Sequence, residues 1–357
     1  MGYQEKFPFE LPVEELDREL IARGAQIPDE KRFKFADREG TPEREKIMKQ
    51  VKQLYKEAAL SPNKELSHIS TEELVRTLIF KTREMDNERA IWILDDRKDI
   101  YEIDDEDIKR STDCVVAICM KDDLIDKKRG LSALKVKNYG KVFNLCDSEP
   151  YRDQPISIGE VCSGFLVKDD IIATAGHCAN ENNVKNLRIV FGFKMSDYCT
   201  AVTQVPRENI YEGVEIIQRV YSGLDKEPDW ALVKLDRKVE GHEPAKLSRN
   251  DIYQGLPVYV IGHPAGLPLK VAPGAHVCDI SDSCFVADLD IYSGNSGSPV
   301  FCRQTHEVIG IVARGDNRDF RWTGKGWVSV IYPNFELFSK GAQCTRVSEF
   351  IDIIDNS

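Results

Sequence analysis

The spacing of apolar residues changes once along the chain, and the change divides it. From residue 10 to about 90 they recur at helical intervals among acids, lysines and arginines. Leu11 to Ala22 sets charged residues against Leu and Ile as far as Gly24, and Thr41-Pro42 opens a second run with Ile47, Met48, Val51, Leu54, Tyr55 and Ala58 on one stripe, closed by Ser61-Pro62. Ser70 with Glu73 forms a capping box for a third run carrying Leu74, Val75, Leu78, Ile79 and Met85. The pattern predicts a small α-helical module over residues 1–95, its stripes serving either as its own core or as a face for a partner. Residues 96–109 are dense in acids and predict a solvated connection, with Ile100, Tyr101 and Ile103 available for packing.

Beyond Cys114 the period shortens. Val161 to Val167, Asp170 to Thr174, Leu187 to Phe191, Trp230 to Leu235, Val258 to Ile261 and Val308 to Val312 are short apolar runs divided by Gly, Pro, Asn and Asp, which predicts strands and an all-β region.

Three of these runs present reactive side chains at their edges. Ile171-Ile172-Ala173-Thr174-Ala175-Gly176 ends on His177, Asp229 stands at the mouth of Trp230 to Leu235, and Ser296 lies in Gly294-Asn295-Ser296-Gly297-Ser298-Pro299 before another buried run. Each residue alone has an ordinary structural reading as a turn or cap. A glycine two residues before a serine allows the Gly294 and Ser296 N–H groups to face one point, as a developing oxyanion requires. The spacing differs from a Gly-x-Ser-x-Gly elbow, since Ser298 stands where the last glycine would be.

Thr174-Ala175-Gly176-His177-Cys178, Asp229-Trp230-Ala231-Leu232 and the Gly294–Pro299 segment, in that order, resemble the signature segments of chymotrypsin/trypsin-like serine proteases, in a bacterial-type subgroup with Gly-Asn-Ser-Gly-Ser-Pro. The resemblance runs from about residue 110 to the end, where Thr345 to Ile351 is similar to the family's last strand and C-terminal helix. It implies two six-stranded antiparallel β-barrels (chymotrypsin-like), about 110–240 and 245–357, preceded by the helical module. It also implies a triad of His177, Asp229 and Ser296 with an oxyanion hole at Gly294 and Ser296. Cys162 and Cys178 are similar to the disulfide bracketing the family's histidine loop; Cys302 has no partner in the expected segment. Cys278 and Cys284 are close enough in sequence for a second bridge, with a zinc site as the rival reading.

Asp290, six residues before Ser296, resembles the floor of the first specificity pocket, implying cleavage after Arg or Lys; its rival reading is a turn residue facing solvent or a backbone N–H. Ala313 and Gly315 correspond to one pocket wall, left open by Gly315, and Ala342 to the other, which it narrows. Val312 stands where glutamate-specific relatives carry histidine. Asn295 replaces the aspartate that receives a freed N-terminal amine in digestive relatives, so activation by that ion pair is not expected. Asp316 to Lys340, with Phe320, Trp322 and Trp327, is long enough for a lid or substrate wall and equally for a loop folded on its own aromatics.

Composition narrows the remaining classes. With 41% hydrophobic residues in 357, the chain can bury a large core, and its net charge of −11 favours cationic peptides electrostatically. No basic stretch interleaved with aromatics supports a nucleic-acid partner, and no apolar run is long enough to span a membrane. The N-terminus lacks a secretory pattern, and Lys6 stands where a myristoylation motif wants Ser or Thr, so the expected location is cytoplasmic. There most of the ten cysteines would be thiols, and without paired Cys-x-x-Cys or His spacing neither metal nor cofactor is expected. The expected partners are a protein or peptide substrate and a regulatory or sensor protein engaging residues 1–95. The reading from another class is a pseudoprotease, a protein that holds a partner in the cleft or on the helical module.

Overall fold

The chain divides into two compact units, Met1–Ile91 and Trp92–Ser357. The computed structural model describes Glu15, Glu19 and Arg23, and residues 95–356 except 160, 225, 316–318 and 330–340. Glu15 and Glu19 are helical and Glu19 pairs with Arg23 at 2.7 Å; the remaining helix expectations for residues 1–90 lie outside the described residues.

Twelve strands of the second unit form two closed antiparallel barrels, after a short edge strand β1 (Lys98–Asp99). The first barrel uses β2 (Val115–Met120), β3 (Cys162–Lys168), β4 (Ile171–Thr174), β5 (Leu187–Val190), β6 (Ile210–Val220) and β7 (Trp230–Leu235). They close in the order β6-β7-β4-β3-β2-β5, with β5 pairing back to β6. The second uses β8 (Pro257–Gly262), β9 (Lys270–Ile280), β10 (Cys284–Ala287), β11 (Pro299–Cys302), β12 (Val308–Arg314) and β13 (Ala342–Arg346). Its order is β9-β8-β11-β12-β13-β10, closed by β10 on β9, while β1 adds to the outer edge of β9.

The unbroken apolar runs follow from burial on both strand faces. Along β8, Val258 and Val260 point into the second barrel, whereas Tyr259 and Ile261 join the cluster formed by Phe165, Ile172 and Trp230 of the first. On β11 and β12 the same alternation sends Phe301 and Ile311 to that shared cluster and Val300 and Val312 inward. The barrels are therefore joined by a continuous apolar layer.

Two expectations are corrected here. Residues 96–99 are not a solvated connection: Asp96, Arg97 and Asp99 are buried, because β1 lies on β9 and Asp99 pairs with Lys270, whereas Tyr101 and Glu102 are exposed. No disulfide joins Cys278 to Cys284: the hairpin sets Asp279 opposite Val286 and Val277 opposite Ala287, so Cys278 falls at a register shift and does not face Cys284. A disulfide joins Cys162 to Cys178. Among the described residues no helix is long and apolar enough to cross a membrane.

Candidate active site

His177 is delivered by the turn that follows β4, and Asp229 directly precedes β7. These strands are hydrogen-bonded neighbours, with Ala231 opposite Thr174, so their ends bring the two residues together. Asp229 Oδ2 lies 2.8 Å from His177 Nδ1, and Oδ1 accepts the His177 backbone N–H at 3.1 Å. The carboxylate is wholly buried and the imidazole partly exposed. The Asp229 N–H donates to Thr345 Oγ1 at 2.9 Å, and that hydroxyl donates back to the Asp229 carbonyl at 3.2 Å, which ties the acid to β13 of the second barrel. With the carboxylate accepting at Nδ1, Nδ1 carries hydrogen and Nε2 keeps its lone pair, as a general base requires.

Ser296 comes from the other barrel, in the loop entering β11. Its carbonyl accepts the Ser163 N–H at 2.8 Å, and Cys178 Sγ lies 3.9 Å from the same oxygen. Gly297 packs so closely on the first barrel that a Cβ would stand 2.1 Å from the Ser163 carbonyl and 2.2 Å from Thr174 Oγ1, at a φ of +86°. Only glycine fits there, and the close approach holds Ser296 beside the segment that carries His177. Gly294 has a φ of +102°, its carbonyl accepts the Ser163 hydroxyl at 2.9 Å, and Asn295 accepts from Ser298 at 3.2 Å. Among the described residues neither the Gly294 nor the Ser296 N–H donates to a backbone carbonyl.

A histidine–carboxylate pair beside a serine in a glycine turn, between two six-stranded barrels, is the combination that comparison with known proteins can test. Residues 162–311 match the family model of the trypsin-like peptidase domain. The Drosophila melanogaster protein "Serine proteinase stubble" is 35% identical over 81 residues, 22% of this chain and 10% of that relative. The match therefore spans a tenth of the relative's length. The scabies mite inactivated protease paralogues S-I1 and S-D1 are similar at TM-scores of 0.43 and 0.44, with 17% and 14% identity. The similarity covers 72% and 73% of this chain and 96% and 94% of theirs. The stretch similar to that domain holds all three residues, His177, Asp229 and Ser296.

Around His177, Asp229 and Ser296 the structure adds residues the sequence did not mark. Arg314, the last residue of β12, sets a guanidinium nitrogen 3.8 Å from Asp229 Oδ2 and donates to the Leu224 carbonyl. The Tyr221 ring centroid lies 6.0 Å from that of His177. In the expected pocket, Asp290 Oδ2 accepts the Asp96 N–H at 2.9 Å, so the carboxylate is held by the acidic segment. Gly315 does not open onto free space, since a Cβ there would lie 2.9 Å from Ile291 Cδ1. Ala313 and Ala342 are buried in β12 and β13. Part of Asp316–Lys340 is described: Phe320–Trp322 and Trp327–Ser329 form a hairpin with Trp322 packed edge-on to Trp327.

Among the described residues two clusters have metal-ligand types, but Cys162 and Cys178 beside His177 are spent in the disulfide, and Asp105 beside Asp107 and His306 is already paired with Arg303 at 2.7 Å.

His263 joins the loop to its surroundings and gives the domain an acid limit. Its N–H donates to Ser163 Oγ, the hydroxyl that holds Gly294, while its ring stacks on Phe193 and Nδ1–H donates to the Leu267 carbonyl at 3.0 Å. Burial pushes the imidazole down to about 4, the Leu267 carbonyl pulling the other way. A depressed histidine binds its proton more weakly folded than unfolded, so the stability present above about pH 6.5 is lost as pH falls towards 4. The loss amounts to about 3 kcal/mol. Urea midpoints between about pH 7 and 4.5 should fall more steeply for the wild type than for His263→Gln; parallel slopes would exclude His263 as the cause.

Proposed function

We propose that the protein is a serine endopeptidase using His177, Asp229 and Ser296. The observation that carries this reading is the His177–Asp229 hydrogen bond beside a serine loop docked on the segment bearing the histidine. Ser296 Oγ attacks the scissile carbonyl carbon while His177 Nε2 takes its proton. The carbonyl oxygen becomes an oxyanion and is held by the Gly294 and Ser296 N–H groups. Collapse expels the amine, which receives the proton from the imidazolium and leaves an acyl-enzyme. Water, activated by the same imidazole, then releases the acid.

Asp290 is the group assigned to P1 selection, favouring Arg or Lys. Residues 1–95 are assigned the part of regulator or adaptor, because they precede a domain with a full set of reactive groups. A mixed peptide library tests the reading: the full chain should cleave after Arg or Lys, Ser296→Ala should not cleave, and Asp290→Ala should lose P1 selection. A preference for small apolar P1 residues that survives Asp290→Ala would transfer selection to Ile291. A wild-type chain that binds peptides and cleaves none would instead make it a binding protein.

A further inference from the structure

The loop from Asp290 to Asn295 belongs to no strand or helix, yet it carries one of the two oxyanion donors and leads to the other. Glycine at 294 has no Cβ to resist rotation of its peptide, so contacts from outside the loop add to the order its own turn supplies. We propose that Asp95–Asp99 is an internal brace for this loop and that Arg97 is a positioning residue for the reaction. The proposal rests on the serine endopeptidase reading.

The brace is anchored at its far end. Lys98 and Asp99 pair with Val271 and Lys270 of β9, and Asp99 forms a buried ion pair with Lys270. Gln154 completes that pair, accepting from Lys270 and donating to Asp99, each at 2.7 Å. Asp96 joins the two parts: its carboxylate accepts the Gly274 N–H at 2.7 Å and its own N–H holds Asp290. The Tyr151 hydroxyl donates to the Arg97 carbonyl.

Arg97 then reaches the loop. Its guanidinium is buried, neutralised by Asp95 through contacts of 2.5 and 2.7 Å, and lies 4.1 Å from the centre of the Tyr292 ring. A desolvated cation over an aromatic face resists displacement more strongly than an exposed one. The Tyr292 carbonyl accepts the Asn295 N–H at 3.0 Å, so fixing Tyr292 fixes the turn containing Gly294 and the approach to Ser296. Other groups hold the loop at Ser293 and Gly294, through Ala265, Asp319 and Ser163. The brace meets Asp290 through the Asp96 N–H and the Tyr292 ring through the Arg97 guanidinium, while Phe320 stacks on the same ring at 5.5 Å.

A brace of this kind acts on transition-state binding and hardly on substrate capture. In the full-length chain, Arg97→Met should lower kcat about 10–100-fold, the scale of a misplaced oxyanion donor or less, while KM stays within about 2-fold. Affinity for a peptide boronate, which forms a tetrahedral adduct at the serine, should fall by the same factor as kcat. Arg97→Lys should recover part of both, since it restores the charge without the planar fork. If Arg97→Met does not fold, Tyr292→Leu removes the other half of the stack and should give the same split. A wild type that neither cleaves peptide nor binds boronate would sink the endopeptidase reading itself. A working wild type whose folded variants keep kcat and boronate affinity within about 2-fold would overturn the brace alone, as would a kcat loss matching the unfolded fraction from thermal melts.

Discussion

Ser296→Ala should lower kcat/KM by on the order of 10⁴–10⁶-fold and abolish the burst of first product, the size this change has in the Ser-His-Asp enzymes that serve as its template. Alanine removes the attacking oxygen and little else. The carbonyl bond to Ser163 is a backbone contact and survives, Gly297 still docks on Thr174, and the Gly294 and residue-296 N–H groups remain in place. Residual hydrolysis would then reflect water attack assisted by those donors, on the order of 10³-fold above the uncatalysed reaction. His177→Ala should cost about as much, because an unactivated hydroxyl is a poor nucleophile. The double variant should be scarcely worse than either single one, since both changes disable one unit. Single-turnover kinetics with a chromogenic peptide, alongside circular dichroism, reads all of this. If the losses in the single variants multiplied in the double, the residues would be acting separately and the shared proton transfer would be wrong.

The parts of the molecule differ in how plainly they can be read from the chain, and the difference is one of contact range. Val258 to Ile261 reads as a strand because both its faces are covered, so the run is apolar at every position; which residues face which barrel follows only once the partner layer is known. His177 and Asp229 stand out because each ends or begins such a run, and a two-strand ladder carries them together. The brace is illegible for the opposite reason. Asp95 to Asp99 has the composition of a solvated linker, and the groups that make its burial affordable, Lys270, Gln154, Gly274 and Asp290, lie far along the chain. Ile291 carries no local signal, because its position matters only through what stands opposite, the bare face of Gly315. The proximity of Cys278 to Cys284 in sequence was misleading because hairpin register, and not separation, decides whether two sulfurs meet. Arg314 offers a faint signal, one charge closing an otherwise apolar strand, and nothing local says which carboxylate it approaches.

That carboxylate makes Asp229→Asn the most informative change at the site. The expected result is a fall in kcat on the order of 10⁴-fold, as in the template enzymes, with KM nearly unchanged. An asparagine that keeps its oxygen on the His177 backbone N–H presents its amide nitrogen to Nδ1, where the carboxylate had accepted. Two donors cannot face each other, so the proton moves to Nε2 and the imidazole loses the lone pair that should receive the Ser296 proton. Shape is preserved and the tautomer is wrong. Stability should respond through a second route, because the neutral amide no longer compensates Arg314 at 3.8 Å. That guanidinium is 21% exposed, so solvent takes up part of its charge and the thermal midpoint should drop by no more than a few degrees. Adding Arg314→Met should restore the midpoint and leave kcat where Asp229→Asn put it. If the second change brought kcat back as well, unbalanced charge and not the tautomer would be the cause of the loss, and the role assigned to Asp229 would have to be given up.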